Sequence, residues 1–303
     1  MPRKQFGRLM TAMITPFDRT GAVNIPEAVR IAQWLVDRGN DGLIVCGTTG
    51  ESPALEDAEK LALFAAVKEG VGNRATVIAG TGGNNTRHSI ELTREAERCG
   101  VDGVLAVVPY YNKPTQDGMI RHFGAIAEAT DLPIIIYNIP SRTGSNMLPA
   151  TLLGLARQFD NIAGVKESSG DCAQFSAILR ERKTGFGFWS GDDYMFLPSL
   201  ALGGEGVISV AGHVCGPQLR KMMEAHDAGD PKSAAQIHRD LSPLFSALFA
   251  TTSPIPVKWA MGEFGFDVGA CRSPLGVMPE PLKEILRPLI APYRPTEAAL
   301  ARS

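Results

Sequence analysis

Lys166 closes a short apolar run, Ile162-Ala163-Gly164-Val165-Lys166, and Glu167-Ser168-Ser169-Gly170 follow it. The run reads as a buried strand, with the lysine where strand gives way to loop. Burial strips water from an ammonium group and lowers its pKa. A neutral amine can then attack a carbonyl carbon and form a Schiff base. The same residues also fit a lysine that leaves the strand and reaches water along its aliphatic stem, the commoner fate of lysines. The other residues at strand ends bear on which reading holds.

Strand-like runs recur along the chain at intervals of roughly 20–35 residues. They are Leu9–Thr15, Gly42–Cys46, Thr76–Ala79, Gly103–Val108, Pro133–Tyr137, Ile162–Lys166, Gly185–Ser190 and Gly206–Val210. Helical periodicity separates them, over Ile25–Asp37, Asp57–Lys68, Arg87–Cys99, Gln116–Ala129, Pro149–Phe159, Cys172–Glu181, Tyr194–Leu202 and Pro217–Ala228. Alternating strands and helices predict parallel pairing through right-handed crossovers. Runs such as Ile134-Ile135-Ile136 predict strands buried on both faces. Eight such units predict an α/β fold of the (β/α)8 TIM-barrel class, with a doubly wound open sheet as the alternative. Gly229-Asp230-Pro231 breaks the pattern. The barrel is therefore expected over residues 1–229 and a small C-terminal helical domain over 230–303, with helices at Lys232–Phe249, Pro256–Gly262 and Pro281–Pro288 and a frayed tail at Ala298–Ser303.

In a barrel of this class, chemistry is done at the C-terminal ends of the strands. Those ends carry Gly47-Thr48-Thr49-Gly50-Glu51-Ser52, Gly80-Thr81-Gly82, Pro109-Tyr110-Tyr111-Asn112, Tyr137-Asn138-Ile139-Pro140-Ser141-Arg142-Thr143-Gly144, Lys166, Ser190-Gly191-Asp192-Asp193 and Ile208-Ser209. The set holds one amine nucleophile, several hydroxyls and one guanidinium. Threonine hydroxyls and the N–H groups of a glycine-bounded loop suit a small carboxylate. Tyrosine hydroxyls can pass protons, and arginine can grip a second carboxylate with two hydrogen bonds. Together these suit a keto acid activated as an imine. Each piece also has a plainer reading. The Gly47–Gly50 segment is a possible strand-to-helix turn, with Glu51 accepting from loop N–H groups. Tyr110, Tyr111 and Tyr137 are possible packing aromatics, and Arg142 a possible surface charge. Gly80, Gly82 and Gly83 lack the spacing of a dinucleotide loop. Asp192 and Asp193 fit a helix cap better than a metal site.

Composition narrows the function classes. The 303 residues are 44% hydrophobic and 20% charged, with a net charge of −2 and a pI near 6.2. No basic patch or stripe suggests nucleic acid. The five cysteines (Cys46, Cys99, Cys172, Cys215 and Cys271) lie far apart without a C-x-x-C pair, and the five histidines form no H-x-x-x-H pair. That pattern predicts reduced thiols and no metal site. No apolar h-region follows Met1-Pro2-Arg3-Lys4-Gln5, and no apolar stretch suits a membrane span, so the expected location is the cytoplasm.

Taken together, the motifs resemble the dihydrodipicolinate synthase / N-acetylneuraminate lyase family, from Thr15-Pro16-Phe17 to Pro254-Ile255-Pro256-Val257-Lys258. Gly47–Ser52 looks like the family's pyruvate-carboxylate loop, and Lys166 in Gly164-Val165-Lys166-Glu167 sits at its Schiff-base position. Ser141-Arg142-Thr143-Gly144 resembles the synthase branch more than the lyases of sugar acids, as do Pro109–Pro114 and Gly203–Ser209. The resemblance implies condensation of pyruvate with L-aspartate 4-semialdehyde, at the entry to diaminopimelate and lysine synthesis, with no metal or organic cofactor. It implies Thr48, Tyr137 and Tyr111 as a proton relay, Tyr111 reaching in from a neighbouring subunit of a homotetramer built as a dimer of dimers. It implies Thr49 for the pyruvate carboxylate, Arg142 for the semialdehyde carboxylate, and backbone groups of Gly191 and Ile208. Ser52, Asn84 and Tyr110 match the family's lysine-effector site, whereas Asp57, Lys60 and His88 depart from its strongly regulated form. At His88 that form has a carboxylate, so weak or absent lysine inhibition is expected. The alternatives are a sibling aldolase or lyase for a sugar-derived keto acid, and a non-catalytic keto-acid-binding protein on the same barrel.

Overall fold

The computed structural model describes residues 6–296, so the expectations for Met1–Gln5 and Ala298–Ser303 fall outside the described residues. Eight parallel strands run β1 (Leu9–Ala12), β2 (Gly42–Val45), β3 (Thr76–Gly80), β4 (Gly103–Val107), β5 (Ile134–Asn138), β6 (Ile162–Glu167), β7 (Gly187–Ser190) and β8 (Gly206–Ser209). They pair in chain order, and β8 returns to β1 through Leu9↔Val207 and Met10↔Ile208. An open doubly wound sheet would leave two edges; this sheet closes into a (β/α)8 barrel.

Helices α1 (Ile25–Asp37), α2 (Asp57–Val71), α3 (Thr86–Arg98), α4 (Gln116–Ala127), α5 (Pro140–Thr143), α6 (Pro149–Gln158), α7 (Cys172–Glu181), α8 (Phe196–Ala201) and α9 (Gly212–Asp227) surround the barrel. Several of their starts are written in polar side chains. Asn24 accepts from the Glu27 N–H, Asn85 from His88 and Asp171 from Ala173, and Glu56 with Glu59 forms a capping box on α2. Two departures from the periodicity have local causes. The single turn α5 is too short to show a period. Pro217 looks like a helix start because proline is favoured in a first turn, but it lies inside α9, where the chain kinks at Cys215 (φ −120°, ψ 33°).

Beyond Gly229, α10 (Pro231–Ala247) and α11 (Ile255–Glu263) pack on α9, and α12 (Glu280–Ile290) packs on both. Leu244, Phe245, Met261 and Leu286 join the same buried cluster as the barrel's outer face. A second, smaller cluster fills the barrel itself: Met10, Ala12, Ile44, Ile78, Leu105, Ile135, Tyr137, Trp189 and Ile208. The strands other than β6 therefore sort their side chains by alternation, inward or toward the helices.

One strand breaks that alternation. In β6 the register against β5 shifts, with Ile134 opposite Ile162 but Ile135 opposite Gly164. Ala163 is the extra residue. Ile162 faces the helices and so does Val165, three residues on. Strict alternation from Ile162 would send position 166 outward as well. The bulge reverses the phase, and Lys166 pairs with the inward-facing Tyr137. Gly164 makes the bulge possible: a Cβ there would stand 2.6 Å from both the Gly187 carbonyl oxygen and the Trp189 ring. Gly164→Ala is expected to destabilise the barrel by about 1–3 kcal/mol in chemical denaturation, the usual cost of overpacking. A variant as stable as the parent would show that the strands can part at no cost.

Candidate active site

Lys166 and Tyr137 are cross-strand neighbours, and the Lys166 Nζ lies 4.2 Å from the centre of the Tyr137 ring. Lys166 is 5% exposed, which removes the snorkelling alternative. Burial lowers its pKa to about 7; the Asp193 carboxylate opposes this and the Arg142 guanidinium adds to it. A substantial fraction of the amine is therefore neutral near neutral pH. Burial pushes the Tyr137 phenol the other way, up to about 12, although Arg142, Ser168 and Thr48 pull it down. Tyr137 thus keeps its proton until a neighbour accepts it.

The cleft above them has a volume of about 200 Å³ and is lined by Gly47, Thr48, Ser52, Leu105, Val107, Tyr110, Tyr137, Ile139 and Arg142, among others. Thr48 stands in a tight turn closed by the Glu51 N–H to the Thr48 carbonyl (3.1 Å) and the Ser52 N–H to the Gly47 carbonyl (3.2 Å). Thr49, in the same turn, is buried. Arg142 stands exposed on α5 at the cleft and has no ion-pair partner among the described residues. Gly191 sits so close to Lys166 that a Cβ would come within 2.8 Å of the Lys166 Cε. Ile208 is wholly buried in the barrel interior, opposite Met10.

Tyr111 is not brought to this cleft by its own chain. It is 89% exposed, at φ +73°, with its N–H 3.4 Å from the Thr143 carbonyl. Glu51 does not serve loop N–H groups of its own turn; its carboxylate meets Lys258 Nζ at 2.7 Å and the Arg272 N–H at 2.8 Å. Neither Asp192 nor Asp193 caps α8, whose N-cap residue is Met195. Asp192 accepts from the Tyr194 N–H instead, and Asp193 accepts from the Ser209 hydroxyl and the Val210 and Ala211 N–H groups. Asp193 thereby ties the end of β7 to the end of β8. Among the described residues no group of His, Cys, Asp and Glu is placed to hold a metal ion, and no helix is long and apolar enough to cross a membrane.

Ser168 escaped the sequence reading. Its Oγ is buried and has no hydrogen-bond partner among the described residues. It lies against Gly191, beside Lys166, and near enough to Tyr137 to favour the phenolate. The signal was present, since residues two apart on an extended chain share a face.

A second cavity, of about 410 Å³, brings Ser52, Asn84 and Tyr110 together with Asp57, Lys60 and His88. Both oxygens of the Asp57 carboxylate are engaged there, by His88 Nε2 at 2.7 Å and Lys60 Nζ at 3.2 Å.

The fold and cleft define a (β/α)8 barrel whose strands carry a buried lysine and a tyrosine to one site at their C-terminal ends. Sequence and structural comparisons then place it: the Dihydrodipicolinate synthetase family profile matches residues 5–291, and the chain belongs to that family. The 4-hydroxy-tetrahydrodipicolinate synthase of Moorella thermoacetica is 56% identical over 271 residues, 89% of this chain and 92% of that protein. The synthase of the same name from Symbiobacterium thermophilum is 54% identical over 94% of this chain and 97% of its own. The crystal structure of a Cyanidioschyzon merolae dihydrodipicolinate synthase with lysine bound superposes with a TM-score of 0.93 at 44% identity, covering 98% of this chain and 99% of that one.

The depressed pKa of Lys166 has a consequence for stability. The unfolded chain holds the lysine proton more tightly, with a pKa near 10.5, so burial costs stability in full below about pH 7. That cost fades as the pH rises toward 10.5. Lys166→Met is therefore expected to raise Tm at about pH 6 and to lose most of that gain by about pH 10. Thermal unfolding of parent and variant at both pH values checks it. Equal gains at the two would mean an amine with an ordinary pKa.

Proposed function

We propose that this enzyme condenses pyruvate with L-aspartate 4-semialdehyde to 4-hydroxy-tetrahydrodipicolinate through an imine on Lys166. The observation that carries the reading is the Lys166 amine, buried over the Tyr137 ring beneath a cleft that also presents Thr48 and Arg142. The neutral amine adds to the pyruvate ketone carbon, and loss of water leaves the imine. Loss of a methyl proton gives the enamine, with the imine nitrogen as electron sink, so neither metal nor organic cofactor is needed. The enamine carbon attacks the semialdehyde's aldehyde carbon, and the resulting alkoxide takes a proton. The amino group of the semialdehyde portion then attacks the imine carbon, closes the ring and expels Lys166 as the free amine.

Tyr137 suits the proton transfers because it is still a phenol at neutral pH and stands beside the Thr48 hydroxyl. Tyr111 completes the relay from a neighbouring subunit of a homotetramer; its exposure and its outward, left-handed backbone support that role. Thr49 and its turn hold the pyruvate carboxylate, and Gly191 and Ile208 contribute backbone groups. Arg142 holds the semialdehyde carboxylate. A sugar-acid aldolase would need hydroxyl-binding groups where this cleft presents a guanidinium, and a binding protein would gain nothing from a desolvated lysine. A location in the cytoplasm accords with both substrates.

Borohydride reduction in the presence of pyruvate is expected to add a pyruvate-derived mass at Lys166, and turnover is expected with aspartate semialdehyde but not with sugar-derived keto acids. Arg142→Ala should raise KM for the semialdehyde by about 10–100-fold, the worth of a charge-assisted pair, and leave trapping by pyruvate intact. No adduct, or cleavage of a keto-deoxy sugar acid as the faster reaction, would sink the proposal.

The second cavity bears on regulation. His88 and Lys60 place their side-chain nitrogens around Asp57, and that carboxylate is already bonded on both oxygens. An effector ammonium would have to displace one of them. Lysine is accordingly expected to inhibit weakly or not at all in an assay with both substrates, and inhibition at sub-millimolar lysine would contradict this.

A further inference from the structure

We infer that Glu51 and Lys258 are positioning residues for the Thr48-Thr49 turn, so that the C-terminal helices hold the pyruvate end of the site in place. This deepens the proposed function and rests on it. Glu51 is the last link of the turn that carries both threonines, because its N–H closes onto the Thr48 carbonyl. It sits in the left-handed region at φ +56°, where a residue with a side chain rarely rests without restraint. The restraint comes from the other end of the chain. The side chains of Glu51 and Lys258 are 1% and 2% exposed, and Nζ meets Oε1 at 2.7 Å. The Lys258 ammonium also donates to the Ala270 carbonyl at 3.1 Å and lies 4.0 Å from the centre of the Phe17 ring.

Arg272 clamps the far side. Its N–H binds the second Glu51 oxygen, and its guanidinium reaches the Ala54 carbonyl at 2.8 Å, the Gly21 carbonyl and the Glu59 carboxylate. It also stacks on Phe17, 4.4 Å from the ring centre. The segment 47–54 is therefore pinned from α11 and the loop after it, by a Lys258 that is not itself among the residues lining the cleft. A buried pair of this kind is poor evidence of stabilisation, since an apolar pair of similar volume often serves as well. What it supplies is direction: one oxygen for Lys258 and one for Arg272 fix the carboxylate, and the carboxylate fixes the turn.

Two variants separate this role from a role in the fold. Lys258→Met alone leaves a buried unpaired carboxylate and should lower Tm. Glu51→Gln with Lys258→Met removes both charges and should recover most of that loss. In the folded double variant, amide hydrogen exchange over residues 47–52 should quicken, and half-saturation by pyruvate in borohydride trapping should rise of the order of 10-fold at a little-changed limiting rate. If the double variant recovers the parent's exchange and half-saturation along with its Tm, the pair serves the fold alone and the inference falls. If the parent itself traps no pyruvate yet the double variant's exchange quickens, the turn is positioned as inferred and the proposed function is what fails.

Discussion

An ammonium group inside a barrel of apolar side chains loses most of its hydration, and the arrangement around Lys166 follows from that loss. A regular β6 would have sent the side chain among the surrounding helices. The extra residue at Ala163 turns it inward, against the Tyr137 ring. The Asp193 carboxylate, which favours the charged amine, is itself buried and already accepts three hydrogen bonds, so it only partly restores the proton to the lysine. Arg142 stands at the cleft and disfavours a second cation. Burial and the Arg142 charge thus outweigh the Asp193 carboxylate and bring the pKa of the amine down to about 7.

The neighbouring Glu167 shows the cost of holding such a residue still. It faces away from the barrel, fully buried, and accepts from Asn138, Ser169 and Gln174. Burial raises its pKa in spite of these bonds. Lys166 and Glu167 are adjacent in sequence, yet they do not pair, because alternation puts them on opposite faces of the sheet. Each is instead satisfied, or left deliberately short of partners, by a different layer. Gly191 belongs to the same arrangement, since only a residue without Cβ fits against the lysine stem.

Much of this was legible in the residues. The eight apolar runs became the eight strands with small changes at their ends, since short β-rich segments between helical periods admit few other folds. The strand-end rule then collected Lys166, Tyr137, Thr48 and Arg142 at one site. Three features were not legible, each for a stated reason. The bulge in β6 rests on Ala163 and Gly164, two small residues that suit a regular strand equally well. The partner of Glu51 lies 207 residues away, beyond any local pattern. Tyr111 stands 89% exposed outside the cleft of its own chain, a placement that no periodicity reports.

That separation of 207 residues between Glu51 and Lys258 also sets an order of events. A growing chain emerges N-terminus first, at about 5–20 residues per second in general. All eight strands are made before α11 exists. During that interval the barrel's threonine turn has its hydroxyls in the sequence but lacks the ammonium that orients Glu51. Lys166 and the groups that hold the Glu51 carboxylate are thus made at different times during synthesis, the latter last. A chain ending before Lys258 would contain all eight strands yet neither of the two residues, Lys258 and Arg272, that hold the Glu51 carboxylate.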